Sequence, residues 1–298
     1  MTANTFLLKF HTAKSSSGGG CAAMRDYKVK TIESLSRGFE VLQLLQEARA
    51  ASLHDLHRMT GIPKSTLLRI LATAHQHGLV WQRMVDGAFV PSHTLLPRLD
   101  VDNAEWLAEL ASPVMERLTR RVRWPSILSV PRLSYMETIE TNSSKAYFDE
   151  LPERPRGFRT NMLGSASGRA YLAYCATSER ESVLQRLRAK NEPGDAAAKD
   201  PNEVRQLVES TRHRGYATRS SFFGGDYNLS RRVSDDGRAS IALPIQLDER
   251  VLGCMNLTWR REVHTVQEVV RLHLSDLRHA VGAVEAAVRN SGPELSMH

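Results

Sequence analysis

The chain has 298 residues, which is long for one domain and suits two. Hydrophobic residues make up 41% and charged residues 24%, values close to those of globular proteins, so collagen, wholesale disorder and low-complexity repeats are excluded. The apolar runs are too short to cross a bilayer or to form a signal-peptide core, and three cysteines form neither a disulfide framework nor a metal knuckle, so a cytoplasmic location without membrane contact is expected.

The net charge of +7 is concentrated in the N-terminal third of the chain. Residues 28–98 carry nine Lys or Arg against five acidic residues, and residues 1–27 add a surplus of two, so the last 200 residues carry a surplus of only one. A basic surface at one end of the chain suits a polyanionic partner. Charge alone does not distinguish nucleic-acid binding from an ordinary solvated surface.

Residues 1–28 are predicted to form a flexible arm, because they show no periodic apolar face and contain a Ser-Ser-Ser-Gly-Gly-Gly run. Met24 lies just before the first regular pattern. Translation from Met1 and translation from Met24 are therefore both open, and N-terminal sequencing of the native protein distinguishes them.

Residues 29–94 are predicted to fold as a winged helix-turn-helix. The first helix starts near Ser34, and the second is capped by Ser52. The third begins at Pro63 and ends at Gly78, and an Asp-Gly turn between two short apolar segments then predicts a hairpin. Helix, short helix, turn with a glycine, third helix and hairpin follow one another in the order of this fold. In the first helix, the apolar residues Leu35, Phe39, Leu42 and Leu45 recur at helical spacing.

Polar side chains remain free at the N-terminal end of the third helix once its apolar face is buried. Arginine can bond a guanine edge with two donors, hydroxyls can reach a base or a phosphate, and the helix N-terminus favours an anion. Basic residues on the second helix and in the wing suit the DNA backbone. The competing interpretation is a helical bundle with an ordinary charged face. The predicted DNA-binding residues are Lys64, Ser65, Thr66 and Arg69 on the third helix, Arg58 on the second helix and Arg83 in the wing.

Residues 95–123 are predicted to form a linker helix that contains Pro113, and residues 124–290 a second domain, followed by a flexible tail at 291–298. The second domain mixes strands and helices without strict alternation, which favours an α+β fold with an antiparallel sheet flanked by helices. Strands are predicted at 126–130, 134–141, 216–220, 238–247 and 251–259, and helices after Ser165, at about 178–190, at 201–215 and from Thr265.

A glycine- and serine-rich turn precedes the first helix of the second domain. Gly164, Ser165 and Ala166 would present free backbone N–H groups at a helix N-terminus, where a carboxylate is favoured. A hydrolase elbow needs a nucleophile at the position that Ala166 occupies, and the segment lacks the lysine of a phosphate-binding loop. The alternative is that Ser165 and Ser167 only cap the helix.

The strand at 251–259 alternates between polar and apolar residues. Cys254, Asn256 and Thr258 share one face, which is either solvated or lines a cavity where they would bind a ligand. Trp124 and either Phe222 or Phe223 are candidates for aromatic pocket walls or for core residues.

Three segments closely resemble the DNA-binding domain of the IclR family of bacterial transcriptional regulators: 31–39 (TIESLSRGF), 61–71 (GIPKSTLLRIL) and 78–80 (GLV). The resemblance continues through the second domain, over residues 31–290. It implies a homodimer or homotetramer that binds a palindromic double-stranded DNA operator, with RNA polymerase as a further partner. It also implies a GAF-like effector domain that binds a small organic acid, and no cofactor.

The segments around Trp124 and at 163–168 and 253–257 are similar to the branch of the family that activates aromatic-acid catabolism of the phenylpropionate type. An aromatic or short aliphatic carboxylate is therefore the expected effector. The resemblance places the effector pocket against the strand at 251–259, with Ser220 and Ser240 near effector contacts. Relatives often carry an acidic residue near position 219, whereas the arginine here is free to pair with an acid. The predicted effector-binding residues are Trp124, Gly164, Ser165, Ala166, Ser220, Ser240, Cys254, Asn256 and Thr258.

Two other classes of protein stay open: a DNA-binding protein that needs no ligand, and a small-molecule enzyme with an accessory helical domain. The first predicts no cavity within residues 124–290. The second predicts a nucleophile or a perturbed acid–base pair there, and the sequence shows none, so the chain is predicted not to be an enzyme. No metal site is predicted, because the histidine pairs at 54 and 57 and at 75 and 77 lack a cysteine to complete a tetrahedral set.

Overall fold

The computed structural model describes residues 32–92, 103–143, 155–225 and 230–291. The predicted arm with Cys21 and Met24, the domain boundary at residues 94 and 95, and all but the first residue of the predicted tail lie outside the described residues. Among the helices of these ranges, none is both long enough and apolar enough to cross a membrane.

The N-terminal domain contains three helices and a two-stranded antiparallel sheet, in the predicted order. The Ser52 hydroxyl caps the second helix by accepting a hydrogen bond from the N–H of Asp55 at 3.1 Å. Gly61 ends that helix with a φ of 69°, a left-handed conformation that favours glycine. The elements are α1 (Glu33–Ala48), α2 (Leu53–Thr60), α3 (Lys64–Gln76), β1 (Val80–Gln82) and β2 (Phe89–Pro91).

The first half of α1 does not pack against the core of its domain. Val41 and Leu45 are fully buried, whereas Leu35 and Phe39 are 51% and 56% exposed. The small core of this domain takes residues of α1 only from Val41 onward, so the N-terminal turns of the helix extend past it. A stripe of exposed apolar side chains, which includes Ile32, therefore remains on α1.

The second domain has the predicted α+β fold, with a six-stranded sheet in the order β5-β4-β3-β8-β7-β6 and antiparallel neighbours throughout. Its linker helix runs without interruption through Pro113. The elements are α4 (Asn103–Val122), β3 (Ser126–Pro131), β4 (Tyr135–Thr141), β5 (Arg159–Asn161), α5 (Ala166–Tyr174), α6 (Thr177–Lys190), a 3-10 helix (Pro193–Lys199), α7 (Pro201–Arg214), β6 (Ala217–Thr218), β7 (Arg238–Leu247), β8 (Arg250–Arg260) and α8 (Val266–Asn290).

Helices cover both faces of this sheet. On one face, Met255, Leu257 and Trp259 of β8 belong to the core formed with α4 and α8. On the opposite face, Cys254 is fully buried in the core formed with α5 and α7. The alternation predicted for β8 is thus confirmed, and its polar face is covered by protein rather than by solvent.

Strand β4 carries a β-bulge at Ile139. Thr138 pairs with Ser129 while Glu140 pairs with the adjacent Leu128, so Ile139 is the extra residue. Thr138 consequently lies on the α5 side of the sheet, whereas Ile139 and Glu140 lie on the α4 side. One strand therefore presents functional groups to two different layers of the molecule.

The two domains share a core. The wing consists of β1, β2 and the turn between them. Its residues Trp81, Met84 and Val90 are buried in the same apolar cluster as Leu107 and Met115 of α4. Apolar burial contributes roughly 25 cal/mol per Å². The buried contact between the wing and the linker helix therefore stabilises the fold. The wing thus belongs to the N-terminal domain and also contributes side chains to the core of the second domain.

Candidate DNA-binding surface and ligand pocket

The N-terminal end of α3 presents the side chains that the sequence predicts for DNA contact. Lys64, Ser65 and Arg69 are exposed and Thr66 is half-buried, while Leu67 on the other side of the helix is fully buried. The amphipathic pattern explains this arrangement, because burying the apolar stripe turns the polar residues outward. The four polar residues thus form one surface with donors and acceptors suited to base edges and phosphates.

Arg58 lies at the exposed surface of α2. Its Nη2 is 3.4 Å from Oδ1 of Asp55, and both side chains are substantially exposed. An exposed ion pair of this kind contributes little, about 0–1 kcal/mol, so it does not prevent the guanidinium from contacting a phosphate. Arg58 is therefore available in this structure for the contact with the DNA backbone that the sequence predicts.

Arg83, for which the sequence predicts a phosphate contact, forms ion pairs within the protein in this structure. Its side chain is only 12% exposed, Nη2 lies 2.7 Å from Oδ2 of Asp86, and Nη1 lies 3.5 Å from Oε1 of Glu105. Glu105 belongs to α4 and also pairs with Arg156. Because its guanidinium contacts acidic groups of both elements, Arg83 joins the wing to the linker helix.

A buried carboxylate of the second domain holds the main chain of the wing. Glu140 is fully buried, and its side chain accepts hydrogen bonds from the N–H groups of Met84 at 3.1 Å and Val85 at 2.9 Å. It also accepts from the N–H of Thr141 and the hydroxyl of Ser112. Burial raises the pKa of Glu140, and the hydrogen bonds from the three N–H groups and the hydroxyl oppose that rise. We call this arrangement the Glu140 clamp.

A polar cavity of about 30 Å³ lies between α5 and the sheet of the second domain. Residues from six elements (β3, β4, β5, α5, β7 and β8) and from the segments next to them surround it, so no single stretch of sequence describes it. The lining residues are Ile127, Ser129, Thr138, Thr160, Ser165, Ala166, Ser167, Arg219, Phe223, Ser240, Asn256 and Thr258.

A chain of hydrogen bonds runs along one wall of this polar pocket. Asn256 Nδ2 donates to Ser167 Oγ at 3.0 Å, and Thr258 Oγ1 donates to Asn256 Oδ1 at 3.1 Å. Ser240 Oγ lies 2.9 Å from Thr258 Oγ1 and must be the donor, because the only proton of Thr258 is already used. Ser167 Oγ accepts a hydrogen bond from Asn256, so its own hydroxyl group can donate to a ligand.

The N-terminus of α5 adds backbone donors to the same wall. Ser165 is the N-cap, since its hydroxyl accepts from the N–H of Gly168 at 3.0 Å and donates to the carbonyl of Asn161 at 2.7 Å. The capping role predicted for Ser165 is therefore confirmed. The N–H groups of Ala166 and Ser167, the next two residues, have no acceptor within the helix by its geometry. They favour a negatively charged group at this end of the pocket.

Five of the nine predicted effector residues line the polar pocket, and four do not. Trp124 lies in the core on the α4 side of the sheet, with its ring 5.7 Å from that of His264. Cys254 is buried in the core next to α5, and Ser220 lines a different cavity. At Gly164 a Cβ would lie 2.7 Å from Cδ2 of Phe223, so this glycine allows the ring to close over the pocket.

Sequence reasoning missed the wall formed by β3, β4 and β5. Ser129, Thr138 and Thr160 line the pocket although none was a candidate. The alternation of β3 places Ile127 and Ser129 on one face and offered a signal for Ser129. The face of Thr138 was not readable, because the bulge that follows it disturbs the alternation.

Arg219 pairs with an acid, as the sequence allowed. Its side chain is 6% exposed, and Nη1 lies 3.0 Å from Oδ1 of Asp236. Burial lowers the pKa of Arg219, while the charge of Asp236 opposes the change. Its guanidinium also stacks on Phe223, with 4.9 Å between the Arg219 Cζ and the ring centroid. The Phe223 ring, which covers the pocket, and the Arg219 guanidinium are thus held together.

Comparison with known proteins agrees with this architecture. Residues 34–83 match the family model of the IclR helix-turn-helix domain. The HTH-type transcriptional regulator XynR of Escherichia coli K12 is 23% identical over 239 residues, which cover 76% of this chain and 86% of that protein. The transcriptional repressor IclR of the same organism is 24% identical over 188 residues, covering 62% of this chain and 68% of the repressor.

Solved structures share the fold of both domains. An IclR family transcriptional regulator from Brucella abortus aligns with a TM-score of 0.50 and 19% identity, covering 90% of this chain and 96% of that one. An IclR homolog from Microbacterium sp. strain HM58-2 aligns with a TM-score of 0.50 and 24% identity, covering 87% and 99%. Residues 34–83 therefore match an IclR helix-turn-helix domain, and the relatives that align with most of the chain are transcriptional regulators rather than enzymes.

Proposed function

We propose that the protein binds a DNA operator through α3 and that a small carboxylate in the polar pocket controls this binding. One observation supports the link between the two sites. Strand β4 lines the pocket with Thr138 and holds the wing of the DNA-binding domain with Glu140, two residues further on. A change in the pocket that moves β4 is therefore transmitted to the wing without passing through a flexible joint.

The chemistry of the pocket favours a carboxylate as the effector. The Ser167 hydroxyl and the first N–H groups of α5 are donors on one wall, and the Arg219 guanidinium provides positive charge on another. The cavity of about 30 Å³ has room for roughly two water molecules. A short aliphatic carboxylate suits this space best. An aromatic acid, as in the phenylpropionate-type branch, requires the Phe223 ring to swing away from Gly164.

The proposed DNA-bound form is a homodimer, or a homotetramer built from such dimers. Two copies of α3 would enter successive major grooves about 34 Å apart. The exposed apolar stripe of Ile32, Leu35 and Phe39 on α1 supports self-association, because contiguous exposed apolar side chains commonly mark interfaces. Occupancy of the operator would then block or recruit RNA polymerase, and the effector would shift the spacing of the two reading helices.

Thermal-shift measurements with two sets of acids, aliphatic acids of two to four carbons and aromatic acids, test the effector class. A binder should raise the melting temperature as its concentration rises. The Ser167→Ala variant should lose this response, whereas Ser182→Ala, which removes an exposed hydroxyl on α6, should keep it. An unchanged melting temperature with both sets of acids would contradict the proposal and favour a DNA-binding protein that needs no ligand.

Gel shifts on promoter fragments test the link to DNA. The acid that raises the melting temperature should change the affinity of the wild-type protein for its operator, and Ser167→Ala should bind the operator but ignore the acid. An operator affinity that stays constant at saturating acid would contradict control by this pocket.

A further inference from the structure

A large apolar side chain lies at the surface of α3. The whole of this helix belongs to the described residues, and it buries Leu67, Leu71 and Ala74 in the core of its domain, whereas Leu68 is 49% exposed. The exposed part of a leucine contributes nothing to folding, because its apolar surface stays in water. Leu68 is thus available to bury that surface against a partner of α3.

Leu68 belongs to the helix face that carries the residues proposed to contact bases. Ser65, Leu68, Arg69 and Ala72 follow the spacing i, i+3, i+4, i+7, which places side chains on one face of an α-helix. All four are exposed. A duplex that approaches Ser65 and Arg69 therefore also meets Leu68 and Ala72.

The polar neighbours of Leu68 on this face have their hydrogen-bonding groups available. Within the part of the chain that the structure describes, the side chains of Ser65 and Arg69 form no hydrogen bond or ion pair. The Thr73 hydroxyl, in contrast, donates to the carbonyl of Arg69 at 2.8 Å, so its proton is already used. The face therefore combines available donors at Ser65 and Arg69 with an apolar pair, Leu68 and Ala72.

The major groove of DNA offers one apolar group that suits such a pair. Thymine carries its C5-methyl group there, whereas the other recognition groups of the base edges are hydrogen-bond donors and acceptors. The side chain of Leu68 has no donor or acceptor, so against a G·C pair it would bury polar edge atoms without hydrogen bonds, at a cost in affinity. Against a thymine methyl group it buries apolar surface on both molecules.

We infer that Leu68 recognises thymine through its 5-methyl group and that Ala72 completes the apolar contact. The inference rests on the proposed binding of an operator by α3, and it adds the base pair that this helix prefers. Residues at i and i+4 of a helix have Cβ atoms about 5–6 Å apart, and stacked base pairs are about 3.4 Å apart, so Leu68 and Ala72 together span about two base pairs. The preferred half-site therefore contains thymine within about two base pairs of the base that Arg69 contacts.

Uracil tests this inference, because it pairs with adenine as thymine does and lacks only the 5-methyl group. Selection with the full chain from a random duplex library gives a bound sequence, which is then prepared once with thymine and once with uracil at every T position. The wild type should bind the uracil duplex about three- to fivefold more weakly for each methyl group contacted, and about tenfold or more weakly when two half-sites are occupied. Gel-shift titrations measure both affinities.

Leu68→Gln replaces the apolar end of the side chain with an amide and should bind the two duplexes with affinities within about twofold of each other. Leu68→Met stays apolar and should keep the preference for thymine. The matched control is Leu272→Gln, which changes a leucine of equal exposure, 50%, on α8 of the second domain and should keep the full preference. Thermal unfolding of all three variants should match the wild type closely, because substitutions at exposed positions change stability little.

Two results would overturn the inference and leave operator binding intact. The first is equal affinity of the wild type for the thymine and uracil duplexes. The second is a preference for thymine that persists in Leu68→Gln, including the case in which this variant loses affinity for both duplexes by the same factor, because the methyl contact would then belong to another residue. A selection that enriches no sequence would instead contradict the proposed operator binding itself, and the inference with it.

Discussion

The N-terminal end of α3 and the polar pocket both carry polar side chains, but those of α3 are exposed and those of the pocket are buried. On α3, Ser65 and Arg69 are exposed. In the pocket, Ser167, Asn256 and Thr258 are buried and bonded to one another. An exposed polar group exchanges water for DNA at little cost to the fold, whereas a buried one must keep its partners. Substitutions on α3 should therefore change DNA binding without changing stability. Substitutions in the interior of the second domain should also change stability.

The largest effect is expected at the Glu140 clamp. Glu140→Ala removes the acceptor of the N–H groups of Met84, Val85 and Thr141, and each buried donor without a partner costs about 1–3 kcal/mol. Relaxation and water entry reduce the sum, so we expect a loss of about 3–5 kcal/mol in the free energy of unfolding. Urea denaturation measures it. Glu116→Ala, at an exposed ion pair on α4, is the control and should change stability by less than about 0.5 kcal/mol. Similar small changes in both variants would mean that the clamp does not hold the wing.

Gly168→Ala should have the next largest effect. A Cβ at this position would lie 2.4 Å from the carbonyl oxygen of Met162, so the N-terminus of α5 must shift. Overpacking of this kind costs typically 1–3 kcal/mol, and the displaced α5 should also lose the response to the pocket acid. Gly282→Ala on α8 is the matched control, because nothing lies within 4 Å of its added Cβ. It should be neutral or should stabilise by up to about 1 kcal/mol. A Gly168→Ala protein with normal stability would show that the pocket wall tolerates change as α3 does.

Arg69→Ala tests the exposed side of the comparison. We expect a loss of about 1–3 kcal/mol in discrimination between operator and scrambled DNA, with less than about 0.5 kcal/mol change in the free energy of unfolding. Arg58→Ala should weaken binding to both duplexes alike, because a phosphate contact carries no sequence information. Gel shifts with the two duplexes measure both quantities. Equal losses on operator and scrambled DNA for Arg69→Ala would contradict base reading by α3.

The smallest effect concerns pH and the start of α8. Thr265 and Glu268 form a capping box, in which the N–H and hydroxyl of Thr265 lower the pKa of the Glu268 carboxyl. A carboxyl whose folded pKa lies below its unfolded value of about 4.3 stabilises the fold above that pH and loses the contribution as pH falls through the folded pKa. The difference in urea midpoint between wild type and Thr265→Ala should therefore be present at pH 7 and should shrink below about pH 4. A constant difference at all pH values would contradict ionic capping.

The contrast between the two sites also explains what the sequence could predict. The outward face of α3 follows from helical periodicity within a dozen residues, so Lys64 and Arg69 were readable. The alternation of β8 was readable for the same reason. The pocket wall at Thr138 was not, because it depends on the bulge at Ile139, and the role of Arg83 was not, because Glu105 meets it only after the domains pack together. The exposure of the start of α1 could not be predicted, because periodicity shows an apolar stripe but not how far the core that it could pack against extends.

The Glu140 clamp grips peptide groups rather than side chains of the wing. Any residue except proline at positions 84 and 85 supplies the same two N–H groups. Substitutions at these two positions, proline excepted, therefore leave the two hydrogen bonds between the wing and the second domain in place. The connection between the two domains thus depends on main-chain geometry and tolerates changes in the side chains of the wing.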